Sequence, residues 1–490
     1  MMKRRQFMQT LLAGGMAMGI PATLRAAVLP RAQRPNLLLV FPDQWRGEAL
    51  GFLGEEPVLT PHLDRFATQS LVLTHAVSTY PVCSPYRAML MSGKYPVANG
   101  VLTNCTSEEA RGGNELKADE RCWSDVLKAQ GYSLGYIGKW HLDAPHTPWV
   151  PTSNNQGPVK WNEWCPPERR HGFDYWYAYG TYDVHLHPKY WTEGTPRMMP
   201  LTMDQWGPQH EADLAISYLK NEHGQRDPAW PFALVVAMNP PHMPYNQVPP
   251  RYVERYAGKT PEQLCIRKNV DLTQDTPGAR LARNQIKNYF AMMTGVDEQF
   301  GRILAALQEQ KLNENTIVIF TSDHGNCLGC HEEIAKNVHY EESMRVPFLI
   351  RWPGRIAPRR DDLLMDTPDI CPTLLDLMGL AGEIPAGVQG VSRAGIFRAG
   401  QGSRPTSQLY YYIEKDKPAS GRRGLRNHRY TLMIAHREDG SESITLHDNV
   451  EDPFQLVNAA AQQPRVVGEL RREMETRLKT LGDPWIVRPS

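Results

Sequence analysis

Short apolar runs alternate with helical patterns along the larger part of the chain. Each run is almost continuously apolar, which is typical of a parallel strand buried on both faces. We predict strands at residues 36–41, 133–137, 232–238, 316–321 and 346–351. Apolar positions recur with helical spacing at residues 61–69, 123–130, 211–222, 283–310 and 369–378. This alternation predicts an α/β fold with a large mixed, mainly parallel sheet flanked by helices.

The last part of the chain has a different pattern. Residues 379–404 are rich in glycine, alanine and proline, and we place a boundary within them. Beyond it, we predict antiparallel strands at 408–414, 430–435 and 443–446 and a closing helix at 466–481. We therefore expect a large domain over residues 35–380 and a smaller C-terminal α+β subdomain over residues 381–490.

The N-terminus has the pattern of an export signal. The pair Arg4-Arg5, followed by Phe7, precedes an apolar stretch over residues 11–24. This stretch is shorter than the roughly 20 residues of a spanning helix, so residues 1–27 are predicted to be a twin-arginine (Tat) signal peptide. A general secretory signal is the alternative. No cysteine lies at the expected cleavage point, so no lipid can be attached there. We therefore expect a soluble periplasmic protein that is exported by the Tat translocon and has no stable membrane anchor.

Charge and cysteine content narrow the classes of function. The 490-residue chain has a net charge of +1, so no overall field favours binding to nucleic acid or to a membrane surface. Its eight cysteines are too scattered for a disulfide scaffold. Cys327 and Cys330 form an isolated CxxC pair, for which ordinary thiols or a local disulfide are favoured over a zinc or redox site.

Polar residues follow four of the predicted strands. Side chains suited to a metal or an anion lie there: Asp43 and Gln44 after the first strand, Lys139 and His141 after the second, His242 after the third, and Asp323 and His324 after the fourth. Ligands of open α/β sheets bind beyond the carboxyl ends of the strands. We therefore predict one site at this edge of the sheet.

Four of these residues suit a hard divalent cation. Asp43, Gln44, Asp323 and His324 offer carboxylate and amide oxygens with one imidazole nitrogen, a set suited to Ca²⁺, Mg²⁺ or Mn²⁺. Taken singly, the aspartate could be a turn residue and the histidine an ordinary loop residue. The two pairs together favour one divalent metal.

A second group of residues is cationic. Lys139, His141, His242 and Lys336 could surround a tetrahedral anion and supply a proton to a departing oxygen. Most lysines are solvated surface residues. Lys139, however, directly follows an apolar strand and stands between a glycine and a tryptophan, which is an unusual setting for a surface lysine.

The pentapeptide from Cys83 to Arg87 has the pattern Cys-x-Pro-x-Arg. Pro85 suits the first turn of a helix, and Gly93 ends the helical run that follows. Cys83 is therefore predicted at a helix N-terminus, where free N–H groups favour an anion, with Arg87 one turn further on. A buried cysteine used only for packing is the alternative.

The ordered motifs resemble those of the formylglycine-dependent sulfatases, a family of the alkaline-phosphatase-like superfamily. The resemblance covers residues 35–380 and rests on the residues near Asp43, Cys83, Lys139, His242 and Asp323. It implies that a formylglycine-generating enzyme oxidises the cysteine to formylglycine. One hydroxyl of the hydrated aldehyde would then attack the sulfur of a sulfate ester, and the other would later expel the sulfate.

The resemblance also implies a role for each site residue. The metal, usually Ca²⁺ in this family, would be bound by position 83 and four side chains: Asp43, Gln44, Asp323 and His324. Catalysis would use six residues: Cys83, Arg87, Lys139, His141, His242 and Lys336. Arg87 and Lys139 would hold the formylglycine and the sulfate, His141 would assist proton transfer, and His242 or Lys336 would protonate the leaving oxygen. Gln44 and His324 depart from many members, which carry a second aspartate and can carry an asparagine there, so the metal's identity stays open.

Two other functions stay open. One is a phosphonate or phosphate ester hydrolase of the same superfamily, and the other is a sulfated-glycan binding protein without activity. For a sulfatase, a sulfated carbohydrate is the first expectation for the substrate and an aryl or small alkyl sulfate the second. The aromatic, histidine-rich segment 161–191 could stack on a sugar ring or serve only for packing.

Overall fold

The computed structural model describes residues 34–485 except 415–416 and 438–439, so the predicted signal peptide at residues 1–27 lies outside the described residues. The described chain forms a large mixed sheet flanked by helices and a separate four-stranded antiparallel sheet. The predicted fold class is confirmed. None of the helices described is long and apolar enough to span a membrane.

The large sheet consists, within the described chain, of ten strands: β1 (Asn36–Val40), β2 (Leu71–Ala76), β3 (Ser133–Lys139), β4 (Tyr175–Tyr179), β5 (Lys189–Thr192), β6 (Leu201–Thr202), β7 (Phe232–Ala237), β8 (Thr316–Thr321), β9 (Phe348–Arg351) and β10 (Arg359–Met365). They lie in the order β10-β2-β9-β8-β1-β7-β3-β4-β5-β6. Strands β8, β1, β7, β3 and β4 are parallel neighbours, whereas β9, β5 and β6 run antiparallel to the strands beside them.

Side chains of the sheet alternate between two hydrophobic cores, one on each face. Leu37 and Leu39 of β1 belong to one core, and Leu38 and Val40 belong to the other. The helices that cover these faces and the rest of the described chain are α1 (Pro61–Ala67), α2 (Cys83–Ser92), α3 (Pro96–Asn99), α4 (Trp123–Ala129), α5 (Gly207–Lys220), α6 (Pro250–Val253), α7 (Pro261–Leu264), α8 (Pro277–Glu309), α9 (Glu341–Met344), α10 (Ile370–Leu377), α11 (Ala394–Ala399) and α12 (Pro464–Thr480). Helices α2, α4 and α10 pack in the first core, and α5 and α8 pack in the second.

The small sheet contains β11 (Gln408–Glu414), β12 (Lys417–Arg426), β13 (Tyr430–His436) and β14 (Glu442–Asp448), paired antiparallel in chain order. Leu432 and Leu446 from this sheet pack against Met474 and Leu478 of α12. The predicted antiparallel strands and closing helix are therefore present. The division of the chain at residue 380 stays a prediction.

Several strands escaped the sequence analysis. Strands β2, β4, β5, β6, β10 and β12 were not predicted. The first half of β10, at the edge of the large sheet, consists of four consecutive charged residues, 359–362. In β12, Arg423 is fully buried because Asp483 accepts a hydrogen bond from its Nε over 3.0 Å. A strand with such polar residues lacks the apolar pattern on which the prediction depended.

Two helices begin earlier than predicted. Helix α5 starts at Gly207 and α8 at Pro277, ahead of the predicted starts at 211 and 283. In both, a proline occupies one of the first two helical positions, where its missing N–H is not needed. The hydroxyl of Thr276 also accepts a hydrogen bond from the N–H of Ala279, which caps α8. The prolines and the capping threonine determine where these helices start, and they are not part of the apolar periodicity from which the helices were predicted.

One buried ion pair joins the small sheet to helix α9, which precedes β9 of the large sheet. Arg426 of β12 donates to both carboxylate oxygens of Glu341 in α9, over 2.6 and 2.7 Å. It also donates to the amide oxygen of Gln408 over 2.8 Å. Arg426 and Glu341 are both largely shielded from solvent, so neither charge can be satisfied by water if the other is removed.

We predict that Arg426→Ala lowers the free energy of unfolding by about 3–5 kcal/mol, because it leaves the Glu341 carboxylate buried and unpaired. Urea denaturation followed by fluorescence measures this change. Arg465→Ala is the matched control, since Arg465 pairs with Glu469 on the exposed face of α12 over 3.0 Å. That pair should contribute only about 0.3–0.5 kcal/mol. Equal losses in the two variants would show that the buried pair has no special part in joining the small sheet to α9.

Candidate active site

Four neighbouring strands end at one edge of the large sheet and bring the predicted site residues together. In sheet order the strands are β8, β1, β7 and β3, all mutually parallel. The polar residues at their carboxyl ends are Asp323 and His324 after β8, Asp43 and Gln44 after β1, Asn239 and His242 after β7, and Lys139 and His141 at the end of β3. The convergence expected from the sequence is therefore present in the structure.

Gly138 allows β3 to turn into this edge. Its φ is +100°, and a Cβ at this position would lie 2.2 Å from the carbonyl oxygen of Ala237 in β7. Both features require glycine. As a result Lys139 is buried, with its Nζ 2.7 Å from Oδ2 of Asp43. The surface-lysine interpretation of Lys139 is thereby excluded.

A compact set of metal-ligating groups lies at the centre of the site. Asp43, Cys83, Asp323 and His324 are all buried, and each offers one ligand atom within 4.8 Å of those of the others. His324 Nδ1 is hydrogen-bonded to the carbonyl oxygen of Gly325 over 2.9 Å, which turns Nε2 toward Oδ1 of Asp43 at 3.4 Å. Two carboxylates with one imidazole form a donor set that fits a divalent cation.

The two carboxylates of this set have opposite pKa shifts. Although burial opposes ionisation, Lys139 and other nearby cations hold the pKa of Asp43 well below its usual range. Burial and the neighbouring Asp43 carboxylate instead raise the pKa of Asp323. Like charges at this separation resist simultaneous ionisation unless cations compensate them. The pKa shifts of the two carboxylates and the chemistry of the possible ligand atoms therefore both favour a bound cation.

Gln44, which follows Asp43 directly, is held by hydrogen bonds to residues of the site. Its backbone N–H donates to Oδ1 of Asp323 over 3.1 Å, and its side-chain amide donates to the hydroxyl of Tyr245 over 3.1 Å. The amide oxygen accepts a hydrogen bond from Lys336 Nζ over 2.9 Å. The amide oxygen of Gln44 is thus fixed in orientation, next to the ligating groups.

Cys83 is the first residue of α2, as predicted, and its thiol faces the ligating groups. Its Sγ lies 3.3 Å from Nε2 of His324 and 3.8 Å from both Oδ1 of Asp43 and Nζ of Lys139. Burial, followed by the charge of Asp43, raises the pKa of the Cys83 thiol to about 11. The unmodified side chain is therefore a neutral thiol at physiological pH.

Arg87 lies one turn into α2 and reaches the carboxylates instead of the thiol. Its Nη2 donates to Oδ2 of Asp43 over 3.2 Å and to Oδ2 of Asp323 over 2.9 Å. Its Nη1 donates to the carbonyl oxygen of Lys139 over 2.5 Å. Arg87 therefore fixes both carboxylates and the end of β3 relative to α2.

Lys336 and His242 form a second polar pair across the site. Lys336 Nζ lies 3.0 Å from Nε2 of His242, whose Nδ1 lies 2.8 Å from the carbonyl oxygen of Met243 and 3.5 Å from Oδ1 of Asp183. Burial and the charge of Lys336 lower the pKa of His242. In this arrangement the imidazole is neutral and accepts a hydrogen bond from the ammonium group.

His141 is the least constrained of the predicted catalytic groups. Both ring nitrogens are buried without a hydrogen-bond partner among the described residues. Burial and the charge of Lys139 hold its pKa well below the usual value. A neutral imidazole with two unused nitrogens is suited to accept a proton from a group that enters the site.

A cavity of about 740 Å³ opens above these residues. Its floor contains Cys83, Lys139, His141, His242 and Lys336, with Asp183 beside them. Its walls are formed by residues from other loops: Asn104, Ser153, Asn154, Gly157, Pro158, Val159, Trp161, Thr181 and Met243. The cavity joins the reactive groups to space for an organic ligand.

Two functional contacts were not predicted from the sequence. Asn239 accepts a hydrogen bond from Lys139 Nζ over 3.2 Å. Asp183 lies beside His242 and also accepts hydrogen bonds from Asn154 over 3.1 Å and from Asn239 over 3.3 Å. Asn239 directly follows an apolar strand, which is a signal that could have identified it. Asp183 follows an aromatic run and offers no comparable signal.

The aromatic segment and the CxxC pair also have defined places. Tyr190 and Trp191 are fully buried, so they serve packing, whereas Trp161 stands at the cavity. All eight cysteines are free thiols, and Cys327 and Cys330 lie in a small apolar cluster. The local disulfide considered from the sequence is therefore absent.

Comparison with known proteins agrees with this geometry. The family model described as Sulfatase matches residues 35–380, and one described as N-sulphoglucosamine sulphohydrolase, C-terminal, matches residues 329–483. An endo-4-O-sulfatase of Bacteroides thetaiotaomicron is 42% identical over 94% of each chain. An ulvan-active sulfatase of Formosa agariphila is 33% identical over 92% of this chain and 82% of its own.

A solved structure gives the same result for the fold. A Bacteroides fragilis protein described as a sulfatase yidJ superimposes with a TM-score of 0.89, at 48% identity over 94% of this chain and 98% of its own. The match includes the small sheet as well as the large one. With the family model covering most of the chain and relatives aligned over nearly all of it, the protein belongs to the sulfatase family and is a sulfuric ester hydrolase.

Proposed function

We propose that this protein is an exported sulfatase that hydrolyses a sulfate ester of a carbohydrate, using formylglycine made from Cys83 and one bound divalent metal. The observation that carries the proposal is the position of the Cys83 Sγ. It lies 3.3 Å from His324 and 3.8 Å from both Asp43 and Lys139, on the floor of the cavity. These distances support position 83 as the point where a metal, a cation and a substrate would meet.

The metal would be held by Asp43, Gln44, Asp323 and His324, with position 83 completing the set. Ca²⁺ is the expected ion, and Mn²⁺ or Mg²⁺ would suit the same oxygen-rich donors. When bound, such an ion would polarise the oxygens of the sulfate and favour ionisation of the nucleophile. The fixed amide of Gln44 supports its place in this set, because its oxygen needs little rearrangement to face the ion.

The nucleophile would be supplied by oxidation of Cys83 by a formylglycine-generating enzyme, since the hydrated aldehyde carries two hydroxyls on one carbon. His141 would accept the proton that the nucleophile loses. Its neutral state and its two unused ring nitrogens support that role. Arg87 would act indirectly, by fixing Asp43 and Asp323 around position 83.

The sulfate group would be bound between Lys139 and Lys336, whose ammonium groups both reach the cavity. Lys336 and His242 share a hydrogen bond and so hold one proton between them beside the leaving oxygen. That proton would pass to the leaving alcohol as the sulfur–oxygen bond breaks. The second hydroxyl of the hydrated aldehyde would then expel the sulfate, and one water would rehydrate the aldehyde, so the net reaction consumes one water and yields the free alcohol and sulfate.

The names of the relatives support a sulfated carbohydrate as substrate. The relatives described above are an endo-4-O-sulfatase and an ulvan-active sulfatase. The cavity is also much larger than a sulfate group requires. A phosphonate or phosphate ester hydrolase is the alternative that a direct assay must test.

Export rests on the N-terminal sequence. The paired arginines at positions 4 and 5 and the short apolar stretch over 11–24 support a Tat signal and a periplasmic location. Tat export accepts a folded protein, which is compatible with a cofactor bound in the cytoplasm. Cys83 would then be oxidised before translocation.

An activity panel tests the chemistry. We expect the purified protein to hydrolyse 4-O-sulfated or 6-O-sulfated chondroitin oligosaccharides, or ulvan oligosaccharides, faster than phenyl phosphonate. A chelator should abolish activity, Ca²⁺ should restore it, and Cys83→Ala should lower kcat by about 10⁴-fold or more. Faster cleavage of phenyl phosphonate would favour the phosphonate hydrolase, and binding without hydrolysis would favour a glycan-binding protein.

Mass spectrometry of the periplasmic fraction tests the modification and the export route. In a Tat-competent bacterium that supplies the oxidising enzyme, the peptide containing residue 83 should have the mass of the aldehyde. A variant with Arg4→Lys and Arg5→Lys should stay in the cytoplasm and still be oxidised, which separates the two events. An unmodified thiol in active protein would refute the nucleophile, and periplasmic accumulation of the double variant would refute the Tat route.

Asp183 is predicted to position His242. Asp183→Asn removes the carboxylate that raises the pKa of His242, so we expect kcat/KM to fall by roughly tenfold or more. The limb of the pH–rate profile that reports protonation of His242 should move to lower pH, because the imidazole then accepts a proton only in more acidic solution. Asp204→Asn is the matched control, since Asp204 pairs with the exposed His187 over 3.0 Å. A profile unchanged in Asp183→Asn would contradict the prediction.

A further inference from the structure

We propose that Trp161 forms a carbohydrate-binding subsite, on which a pyranose ring of the substrate stacks while its sulfate group lies against Lys139 and Lys336. The inference rests on the proposed function and adds to it the part of the site that recognises the sugar. It gives a function to the part of the cavity lining that the proposed catalysis does not use. This wall is formed by residues 153–161 together with Asn104 and Thr181.

The volume of the cavity is sufficient for an organic ligand. At about 740 Å³ it lies within the range of roughly 300–1,000 Å³ that is typical of sites for drug-sized molecules. The cationic and histidine side chains occupy only the floor. Six of the lining residues belong to the 153–161 segment, so a molecule that fills the cavity contacts that wall.

Trp161 is distinguished from the other aromatic residues of its region. Tyr190 and Trp191 are fully buried, whereas Trp161 is 38% exposed and lines the cavity. Among the described residues, no aromatic ring or cation is stacked on its indole. The face of an indole is electron-rich and attracts the polarised C–H groups that one face of a pyranose ring presents.

The backbone around Trp161 is held rigidly. The side-chain oxygen of the buried Asn155 accepts hydrogen bonds from the N–H groups of Trp161 over 2.8 Å and Asn162 over 3.0 Å. Its amide donates to the carbonyl oxygens of Val150 over 3.1 Å and Asn162 over 2.9 Å. Such a preorganised aromatic group loses little conformational entropy when a ligand binds.

A second set of bonds fixes the residue before Trp161. The N–H of Lys160 donates to the hydroxyl of Ser107 over 2.9 Å, and the N–H of Ser107 donates to the carbonyl oxygen of Lys160 over 2.9 Å. Trp161 is therefore exposed on a segment whose backbone is fixed by hydrogen bonds. The fold of this segment therefore determines the exposure of the Trp161 side chain.

The rest of the wall combines apolar residues, Pro158, Val159 and Met243, with polar residues that carry no charge. Asn104, Ser153, Asn154 and Thr181 offer amide and hydroxyl groups, and none of the cavity-lining residues of the 153–161 segment carries a charge. These groups suit the hydroxyls of a sugar. Recognition at this wall therefore depends on ring stacking and hydrogen bonds, while charge recognition is confined to the floor.

Substitution of Trp161 tests the proposal in turnover. With the chondroitin or ulvan oligosaccharide that the wild type cleaves fastest, Trp161→Ala should raise KM about tenfold, and Trp161→Phe should recover most of the loss. Inhibition by inorganic sulfate should be unchanged, because sulfate alone reaches only the floor. Trp149→Ala is the matched control, since Trp149 is 36% exposed in the same region but does not line the cavity. Equal KM values for Trp161→Ala and Trp149→Ala would overturn the subsite.

Binding without turnover separates this inference from the proposed chemistry. In a Cys83→Ala background, desulfated chondroitin tetrasaccharide can be titrated by calorimetry, and Trp161→Ala should weaken its binding about tenfold with little dependence on salt. Equal affinity with and without the indole would overturn the subsite even if the enzyme is an active sulfatase. A loss of affinity supports the subsite even if the activity panel refutes the proposed chemistry.

Discussion

Two carboxylates that water cannot reach, Asp43 and Asp323, set the conditions for the rest of the site. Burying two like charges side by side is costly, and Arg87 and Lys139 offset that cost by direct contact. For both cations to reach the carboxylates, α2 must begin beside the ends of β1 and β8, and β3 must turn at its last residues. That arrangement places Cys83, the first residue of α2, against the same carboxylates. The position of the reactive side chain is thus a consequence of charge compensation in the core of the fold.

The small sheet contributes to this site from a distance. The N–H groups of Gly325 and Asn326, directly after the ligand-bearing end of β8, donate to the carbonyl oxygens of Ser343 and Glu342 over 2.9 and 2.6 Å. These acceptors lie in α9, and the first residue of α9 is the glutamate that pairs with Arg426 of β12. The small sheet, α9 and the segment after β8 therefore form one continuous chain of bonds. The C-terminal part of the protein supports the ligating residues without contributing one of them.

How far the sequence predicts this structure depends on where each residue finds its partners. Asp43, Lys139, His242 and Asp323 were predictable, because an apolar strand can be recognised locally and the carboxyl ends of parallel strands meet at one edge. Asp183 was not, because its partner Asn239 is 56 residues away and no periodic pattern links the two. The same reason hid β12, whose buried arginine is neutralised by an aspartate 60 residues further along. Local sequence patterns therefore predict the strands and the residues at their ends. They do not reveal polar pairs between residues that are far apart in the chain.

If Cys83 is oxidised as proposed, its burial implies an order of events in the life of the protein. Only 2% of the side chain is accessible in the folded chain, and it lies beneath the carboxylates at the start of a wholly buried helix. An enzyme that modifies this residue has to bind the pentapeptide as an extended segment, before α2 forms and packs. Under the proposed function, oxidation would therefore compete with folding for the newly made chain. A cell that folds this protein faster than it modifies it would accumulate a stable but inert product, which later exposure to the modifying enzyme could not rescue.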